Sequence, residues 1–194
     1  NLAPGVDILS LSTPQASEIA GDLFVDCTGF KALLIGETLG VPFKECGDVL
    51  FCDRALAVQV PYASEATPIA CQTISTAQSA GWIWDERRQR AAAKLGLPAR
   101  RGVGHVYSSR HISDEQAERE LRDYLGAAGR DLPVRKLVIP AGHRETFWKR
   151  NCVAVGLAAG FLEPLEASAI VLIELSAKFI AEQLPVCREV MDLI

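Results

Sequence analysis

Residues 151–169 read Asn151-Cys-Val-Ala-Val-Gly-Leu-Ala-Ala-Gly-Phe-Leu-Glu-Pro-Leu-Glu-Ala-Ser-Ala169. The stretch begins with a strand-like apolar segment, Cys152–Val155, continues through a turn spaced by two glycines, and ends where a long helix is predicted to begin. Glu163 and Glu166 lie at that junction. Because a helix N-terminus presents unpaired N–H groups, such a junction suits anionic ligands and acid–base chemistry.

The helix after this stretch is predicted to run from about Glu166 to Leu184, because Pro185 ends it. Apolar residues recur along it at helical spacing, which indicates an amphipathic helix. Its predicted stripe comprises Ile170, Ile173, Ala177, Ile180 and Leu184.

An earlier helix is predicted to begin after Ser113, because Gln116 follows at the spacing of a capping box and Gly126 lies beyond the last apolar position. The segment Arg54–Tyr62 alternates apolar and polar residues, which indicates a half-buried strand. These patterns predict a mixed α and β fold with a largely antiparallel sheet. Further strands are predicted at Asp7–Leu11, Leu23–Val25, Ile69–Thr76, Val103–Ser109, Val134–Pro140 and Cys152–Gly156.

The composition is that of an ordinary soluble protein, with 49% hydrophobic and 23% charged residues among 194. A net charge of −4 gives no support for nucleic-acid binding, and no apolar run predicts a membrane span. The six scattered cysteines indicate buried thiols, and Asn1–Ser12 lacks a secretory pattern, so a cytoplasmic location is expected. The three histidines lack metal-ligand spacing, so no metal site is predicted.

Three segments together resemble the flavin-dependent tryptophan halogenases: residues 151–169, Asp26-Cys-Thr-Gly-Phe30 and Gly81-Trp-Ile-Trp84. The resemblance covers about 22–185 and implies part of a flavoprotein-monooxygenase-like FAD-binding fold. The chain starts without methionine and its helical pattern still runs at Ile194, so we expect a single incomplete domain from a larger flavoprotein.

The resemblance implies that Glu166 is the catalytic carboxylate, working with a lysine from outside this chain, and that Glu163 is structural. It also implies a halide site at the helix start, formed by Ser168 and Ala169 with Ala167. Without the resemblance, two glutamates at a helix start are usually surface charges that complement the helix dipole.

The glycine turn is similar to the segment that packs against the flavin in the family; its residues are Gly156, Leu157, Ala158, Ala159 and Gly160. Asp26 and Gly29 resemble the strand end that closes the nucleotide-binding sheet. By themselves these residues indicate close packing and a common turn.

Trp82, Trp84 and Phe161 are implied to line the flavin and substrate chamber. Without the resemblance, the two tryptophans indicate a pair packed on one face of a strand. The family pattern breaks over residues 85–100, which are an atypical basic insertion or a fault in the reading frame or splicing. A solvated loop or helix is expected there rather than an anion site; the basic residues are Arg87, Arg88, Arg90, Lys94, Arg100 and Arg101.

The implied activity uses reduced FAD from a separate flavin reductase, oxygen, and chloride or bromide to halogenate tryptophan or another indole-type aromatic. A homodimer is one assembly the resemblance allows. Two alternatives remain open: a flavin monooxygenase that hydroxylates a small aromatic substrate, and an inactive truncated remnant. The chain lacks the family's G-x-G-x-x-G turn and its lysine, which predicts that these residues alone neither hold FAD tightly nor halogenate.

Overall fold

A computed structural model describes residues 7–64, 66–86, 100–162, 165 and 168–184. Its two α-helices in these ranges are α1 (Asp114–Leu125) and α2 (Ser168–Gln183). The strands are β1 (Ser10–Leu11), β2 (Ile19–Ala20), β3 (Phe24–Asp26), β4 (Phe43–Glu45), β5 (Arg54–Pro61), β6 (Ile74–Gln78), β7 (Gly81–Glu86), β8 (Arg100–Tyr107), β9 (Arg135–Val138), β10 (Gly142–Arg144), β11 (Trp148–Lys149), β12 (Cys152–Ala154) and β13 (Gly160–Phe161).

The chain divides into two compact units. The central unit comprises Phe51–Ile139, and the terminal unit comprises 1–50 together with 140–194. The sequence prediction of one incomplete domain remains a prediction about the larger protein.

The central unit is built on an antiparallel sheet in the order β6-β7-β8-β5-β9. Helix α1 covers one face of this sheet. The core between them is apolar and consists of Leu56, Val58, Val60, Ile83, Val103, Tyr107, Ile112, Ala117, Leu121 and Leu125. The mixed α and β class with a largely antiparallel sheet is therefore confirmed.

Local sequence patterns explain these elements. Strand β5 follows the predicted alternation, with Leu56, Val58 and Val60 buried. Helix α1 begins as predicted, because the Ser113 hydroxyl accepts a hydrogen bond from the Gln116 amide at 3.2 Å. It ends at Gly126, whose φ of 61° suits glycine.

The terminal unit contains short sheets in the orders β1-β2, β13-β10-β4 and β11-β12-β3. Strands β12 and β3 are parallel, and Ala154 lies opposite Asp26. A π-helical segment, Leu33–Thr38, follows β3 and packs in the same core. This core also holds Ile8, Phe24, Ala32, Leu39, Val41, Cys152, Ala154 and Ala158.

Helix α2 differs from the amphipathic helix predicted. Of the predicted stripe, only Ile180 is buried, and Ile170 is 63% exposed. The physical reason lies in its first turns, where Ile170-Val-Leu-Ile173 places apolar side chains on every side of the helix.

Several strand boundaries also differ from prediction, two of them in the central sheet by enough to matter. Strand β6 covers Ile74–Gln78 rather than Ile69–Thr76, because the hairpin pairing with β7 extends to Gln78. Arg100 and Arg101, expected in a solvated loop or helix, lie instead in β8. The rest of the basic segment, residues 87–99, lies outside the described residues.

Within the described ranges, no helix combines the length and the apolar character that crossing a bilayer requires. The same ranges contain no group of three or more His, Cys, Asp or Glu side chains placed to hold a metal ion.

Candidate functional site

The two segments predicted to face the cofactor lie side by side in the terminal unit. The parallel pairing of β3 with β12 brings Asp26 next to Ala154, and the Val155 amide donates to the Asp26 carbonyl at 3.0 Å. The rings of Phe30 and Phe161 then meet edge to face, with centroids 6.3 Å apart. Asp26–Phe30 and Gly156–Phe161 therefore form adjacent turns at the same ends of two parallel strands.

Asp26 organises the first of these turns. Its carboxylate is fully buried and accepts from the Thr28 amide and hydroxyl at Oδ1, at 3.0 and 2.6 Å. Its Oδ2 accepts from the amides of Leu34 and Ile35 at 2.9 and 2.8 Å. Burial alone raises the pKa of Asp26, but these hydrogen bonds outweigh it and hold the pKa below its ordinary value.

Both carboxylate oxygens of Asp26 are thus engaged by the protein itself. The side chain fixes the turn and the start of the π-helical segment, while the turn's surface is formed by the residues that follow. Cys27, Thr28 and Phe30 are exposed there, and Gly29 has a φ of 70°.

The second turn depends on its glycines. Gly156 has a φ of 65° and begins a 3-10 turn, Gly156–Ala158, that the Ala159 amide closes by donating to the Gly156 carbonyl at 3.0 Å. At Gly160, a Cβ would lie 2.5 Å from the Gly142 carbonyl oxygen, so β13 and β10 can approach only if this residue is glycine. Ala158 is buried, whereas Leu157 is exposed.

The surface shared by the two turns is small and apolar. Phe30 and Leu157 are exposed, and a Cβ at Gly29 would meet no atom within 4 Å. Open backbone beside apolar side chains fits the flat ring system of a flavin, which requires close approach and little charge. Among the described residues, Gly29 and the turn from Gly156 to Gly160 could hold such a ring.

The predicted acid and halide site is only partly described. Ser168 and Ala169 are the first residues of α2, and both are half-buried. They therefore lie where a helix N-terminus presents N–H groups. Glu163, Glu166 and Ala167 lie outside the described residues.

Trp82 and Trp84 belong to the central unit, on the face of β7 opposite to Ile83, which packs in the core beneath α1. Their rings are 6.2 Å apart at 64°, and both side chains are half-buried. The pair is an aromatic patch on the open face of the sheet.

Gly104, which the sequence prediction missed, determines how Trp84 lies. A Cβ at Gly104 would be 2.0 Å from the Trp84 ring and 2.4 Å from the Leu56 carbonyl oxygen. Trp84 therefore lies directly across the glycine. A glycine within a strand pattern was the available signal, because such residues often mark a close approach.

The sequence prediction also missed a buried ion pair at the end of β7. Asp85 is fully buried and accepts from Arg101 of β8 and from the Tyr124 hydroxyl of α1, the latter at 3.3 Å. Asp85 and Glu86 pair in register with Val103 and Gly102. The ends of the atypical segment are thus regular strand residues.

Comparison with known proteins gives a consistent result. A profile of the tryptophan halogenase family matches residues 2–190. A 7-chloro-L-tryptophan 6-halogenase of Kutzneria sp. is 40% identical over 89% of this chain and 32% of its own length. A tryptophan 6-halogenase of Streptomyces toxytricini is 41% identical over 89% of this chain and 31% of its own. The chain spans about a third of the length of the curated relatives it matches.

Solved structures agree. A tryptophan halogenase from Shewanella frigidimarina superimposes with a TM-score of 0.85 and 54% identity, covering 96% of this chain and 34% of that one. A flavin-dependent halogenase from Brevundimonas sp. gives a TM-score of 0.84 and 39% identity, covering 99% of this chain and 38% of that one. Since the profile match extends over nearly the whole chain and carries the glycine turn and the Asp26 turn with it, this chain belongs to the tryptophan halogenase family.

Proposed function

We propose that this chain is part of a flavin-dependent halogenase that uses reduced FAD, oxygen and halide to halogenate tryptophan or another indole-type aromatic. One observation carries the proposal: parallel strands set the Asp26–Phe30 and Gly156–Phe161 turns side by side in a chain of the tryptophan halogenase family. When bound, reduced FAD would supply two electrons that convert oxygen into the oxidant, and this oxidant would take two electrons from the halide.

The chain's own residues would contribute a surface, an anion site and a base. The backbone of Gly29 and Gly156–Gly160 would hold the flavin ring, with Asp26 keeping the first turn in place. Amides at the start of α2, around Ser168 and Ala169, would bind chloride or bromide, because unpaired N–H groups and the helix dipole both favour a small anion.

Glu166 would accept the proton that the aromatic carbon loses when halogen replaces hydrogen, so that the ring regains its aromaticity. We assign its lysine partner to a part of the larger protein outside this chain. From the family resemblance, we propose lining roles in the flavin and substrate region for Trp82 and Trp84 and, separately, for Phe161.

The residues that follow Glu166 bear on which class of substrate the protein accepts. Tryptophan-specific members often read Glu-Ser-Thr-Gly, whereas this chain reads Glu166-Ala-Ser-Ala169. Backbone donors survive that change, and the altered side chains favour a broader indole acceptor. The separate reductase, a homodimer and a cytoplasmic location stay predictions.

The test is a product assay with the full-length protein, a flavin reductase, tryptophan or indole, and bromide. We expect a brominated product that requires bromide, and we expect Glu166→Gln to abolish it while flavin binding persists. A product that gains oxygen with or without bromide would instead identify an aromatic hydroxylase. Absence of any product would favour the inactive remnant.

A second experiment concerns this chain by itself. We expect the 194 residues alone to bind FAD weakly and to form no halogenated product. Turnover of indole by this segment with reduced FAD and bromide would contradict that expectation.

A further inference from the structure

Arg144, the last residue of β10, donates two hydrogen bonds to the glycine turn and one to Val41. Its backbone amide donates to the Ala159 carbonyl at 2.7 Å. Its side-chain Nε donates to the Ala158 carbonyl at 3.3 Å, and Nη1 donates to the Val41 carbonyl at 2.9 Å. One residue therefore holds two successive carbonyls of the turn and ties them to a distant part of the terminal unit.

The Arg144 guanidinium packs against two other residues of the terminal unit, Phe43 and Gly36. Its central carbon lies 5.3 Å from the centroid of the Phe43 ring, within the range of a cation–π contact. On another side it lies against Gly36, where a Cβ would be 2.8 Å from the nearest guanidinium nitrogen. A planar cation can donate in two directions at once, which an ammonium cannot reproduce with the same geometry.

Val41, which accepts a hydrogen bond from Arg144, is itself connected to the Asp26 turn. The Val41 amide donates to the Ile35 carbonyl at 3.0 Å, and the Ile35 amide in turn donates to Asp26. Hydrogen bonds thus run from Asp26 through Ile35 and Val41 to Arg144 and then to Ala158. The two turns are held together by this path as well as by the pairing of β3 with β12.

We propose that Arg144 is a positioning residue that fixes the Gly156–Gly160 turn for the flavin, and thereby sets flavin affinity and the surroundings of the flavin ring. The proposal rests on the proposed function, since it assigns the turn to flavin binding. The Arg144 side chain acts through the Ala158 and Val41 carbonyls, on the protein side of the turn, whereas the bond to Ala159 comes from its backbone amide and is kept in any variant.

Lys149 provides a matched control. Lys149 is half-buried in the same unit, and its ammonium donates to the Leu39 carbonyl at 2.8 Å rather than to a carbonyl of the glycine turn. Lys149→Met therefore removes a comparable cation-to-carbonyl hydrogen bond without touching the proposed flavin surface.

The experiment compares Arg144→Met, Arg144→Lys and Lys149→Met in the full-length protein. FAD affinity and the visible absorption spectrum of bound FAD are measured, together with hydrogen exchange of peptides covering residues 156–160. For Arg144→Met we expect a roughly ten- to hundredfold rise in the FAD Kd, the equivalent of one or two charged hydrogen bonds. We also expect a shifted flavin spectrum and faster exchange in the turn.

Arg144→Lys should restore part of the affinity, and Lys149→Met should leave the Kd, the spectrum and exchange in the turn at wild-type values. The same loss in Lys149→Met as in Arg144→Met would show a general structural effect and overturn the proposal. Unchanged FAD binding and spectrum in Arg144→Met would also overturn it while leaving the proposed function intact. If Arg144→Met fails to fold, wild-type affinity and spectrum in Arg144→Lys would overturn it.

Failure of the wild-type protein to bind FAD would overturn the proposed function and the flavin role of Arg144 together. Hydrogen exchange in the turn would then still show whether Arg144 orders residues 156–160.

Discussion

At the scale of single residues, the Asp26 side chain holds together two segments of the terminal unit, its own turn and the π-helical segment. Four hydrogen bonds converge on its buried carboxylate, and two of them come from the amides of Leu34 and Ile35 in the first turn of the π-helical segment. An asparagine side chain has one acceptor oxygen where aspartate has two. Its NH2 group would therefore point at N–H or O–H donors that need an acceptor.

We therefore expect Asp26→Asn to lower the free energy of unfolding by about 1–3 kcal/mol, the cost of leaving buried amides without an acceptor. Urea denaturation at neutral pH measures this difference. The Thr28 hydroxyl donates to Asp26 and accepts from the Leu33 amide, so Thr28→Val, which replaces only the hydroxyl by a methyl group, serves as a milder comparison.

The same carboxylate predicts how stability depends on pH. The pKa of Asp26 is lowered in the folded state, so its contribution is fully present above the unfolded-state pKa, about 3.9. It is lost as pH falls through the folded-state pKa, which lies below that value. Stability of the wild-type protein should therefore fall more steeply below about pH 4 than that of Asp26→Asn. Parallel acid-denaturation curves for the two proteins would contradict this assignment.

The cysteine thiols of the terminal unit should differ in their reactivity towards alkylating reagents. Burial, with a smaller effect from nearby Asp26, raises the pKa of Cys152 to about 12, and the thiol is inaccessible. Cys27 is exposed. We expect iodoacetamide at pH 8 to label Cys27 and spare Cys152 until the protein is unfolded, as peptide mass spectrometry would reveal. Equal labelling rates in the native protein would show that β12 is not buried as described.

At the scale of elements, the β7–β8 pair depends on a glycine beneath a tryptophan. Gly104→Ala would place a methyl group 2.0 Å from the Trp84 ring and 2.4 Å from a backbone oxygen, so both strands must shift. We expect a loss of about 1–3 kcal/mol in unfolding free energy and a change in tryptophan fluorescence.

Gly102→Ala is the control for that substitution, because its Cβ would meet only the Gln59 side chain at 4.0 Å. It lies in the same strand and two residues away, so general effects of alanine on β8 are matched. A similar loss in both variants would mean that Trp84 does not lie across Gly104.

Helix α2 differs from the β7–β8 pair because most of its large apolar side chains are exposed rather than buried. Ile170 and Leu175 are 63% and 57% exposed, whereas Ile180 is 8% exposed and packs with Trp148, Val153 and Val155. A contiguous apolar surface of this kind favours association in water.

At the scale of the whole molecule, this surface should govern how the 194-residue chain behaves in solution. We expect the chain to bind a hydrophobic dye and to associate at rising concentration. Leu175→Lys should reduce both effects without lowering unfolding free energy, whereas Ile180→Lys should destabilise the fold because it buries an ammonium. Sedimentation velocity and dye fluorescence test this, and unchanged dye binding in Leu175→Lys would contradict it.

Sequence patterns predicted elements whose cause is local. Strand β5 and helix α1 were found because alternation, the Ser113 cap and the Gly126 end act within a few residues of one another. The family was found because the Asp26 turn and the glycine turn carry short, specific motifs.

Contacts between distant residues could not be found in this way. Arg144 and Val41 are separated by 103 positions, and no local pattern connects them. Arg101 looked like one more charge in a basic segment until β8 placed it against buried Asp85. The exposure of α2 likewise depends on what packs beside it, which periodicity does not reveal.

The sequence by itself thus determined the family, the mixed α and β class, the helix caps and the identity of the glycine turn, because these follow from short-range sterics and hydrogen bonding. Only the tertiary structure decided that the Asp26 turn and the glycine turn are neighbours, that three backbone amides and the Thr28 hydroxyl engage Asp26, and that Arg144 joins the two turns. Those outcomes depend on long-range packing and on buried polar groups finding partners, and both are settled only when distant segments come together.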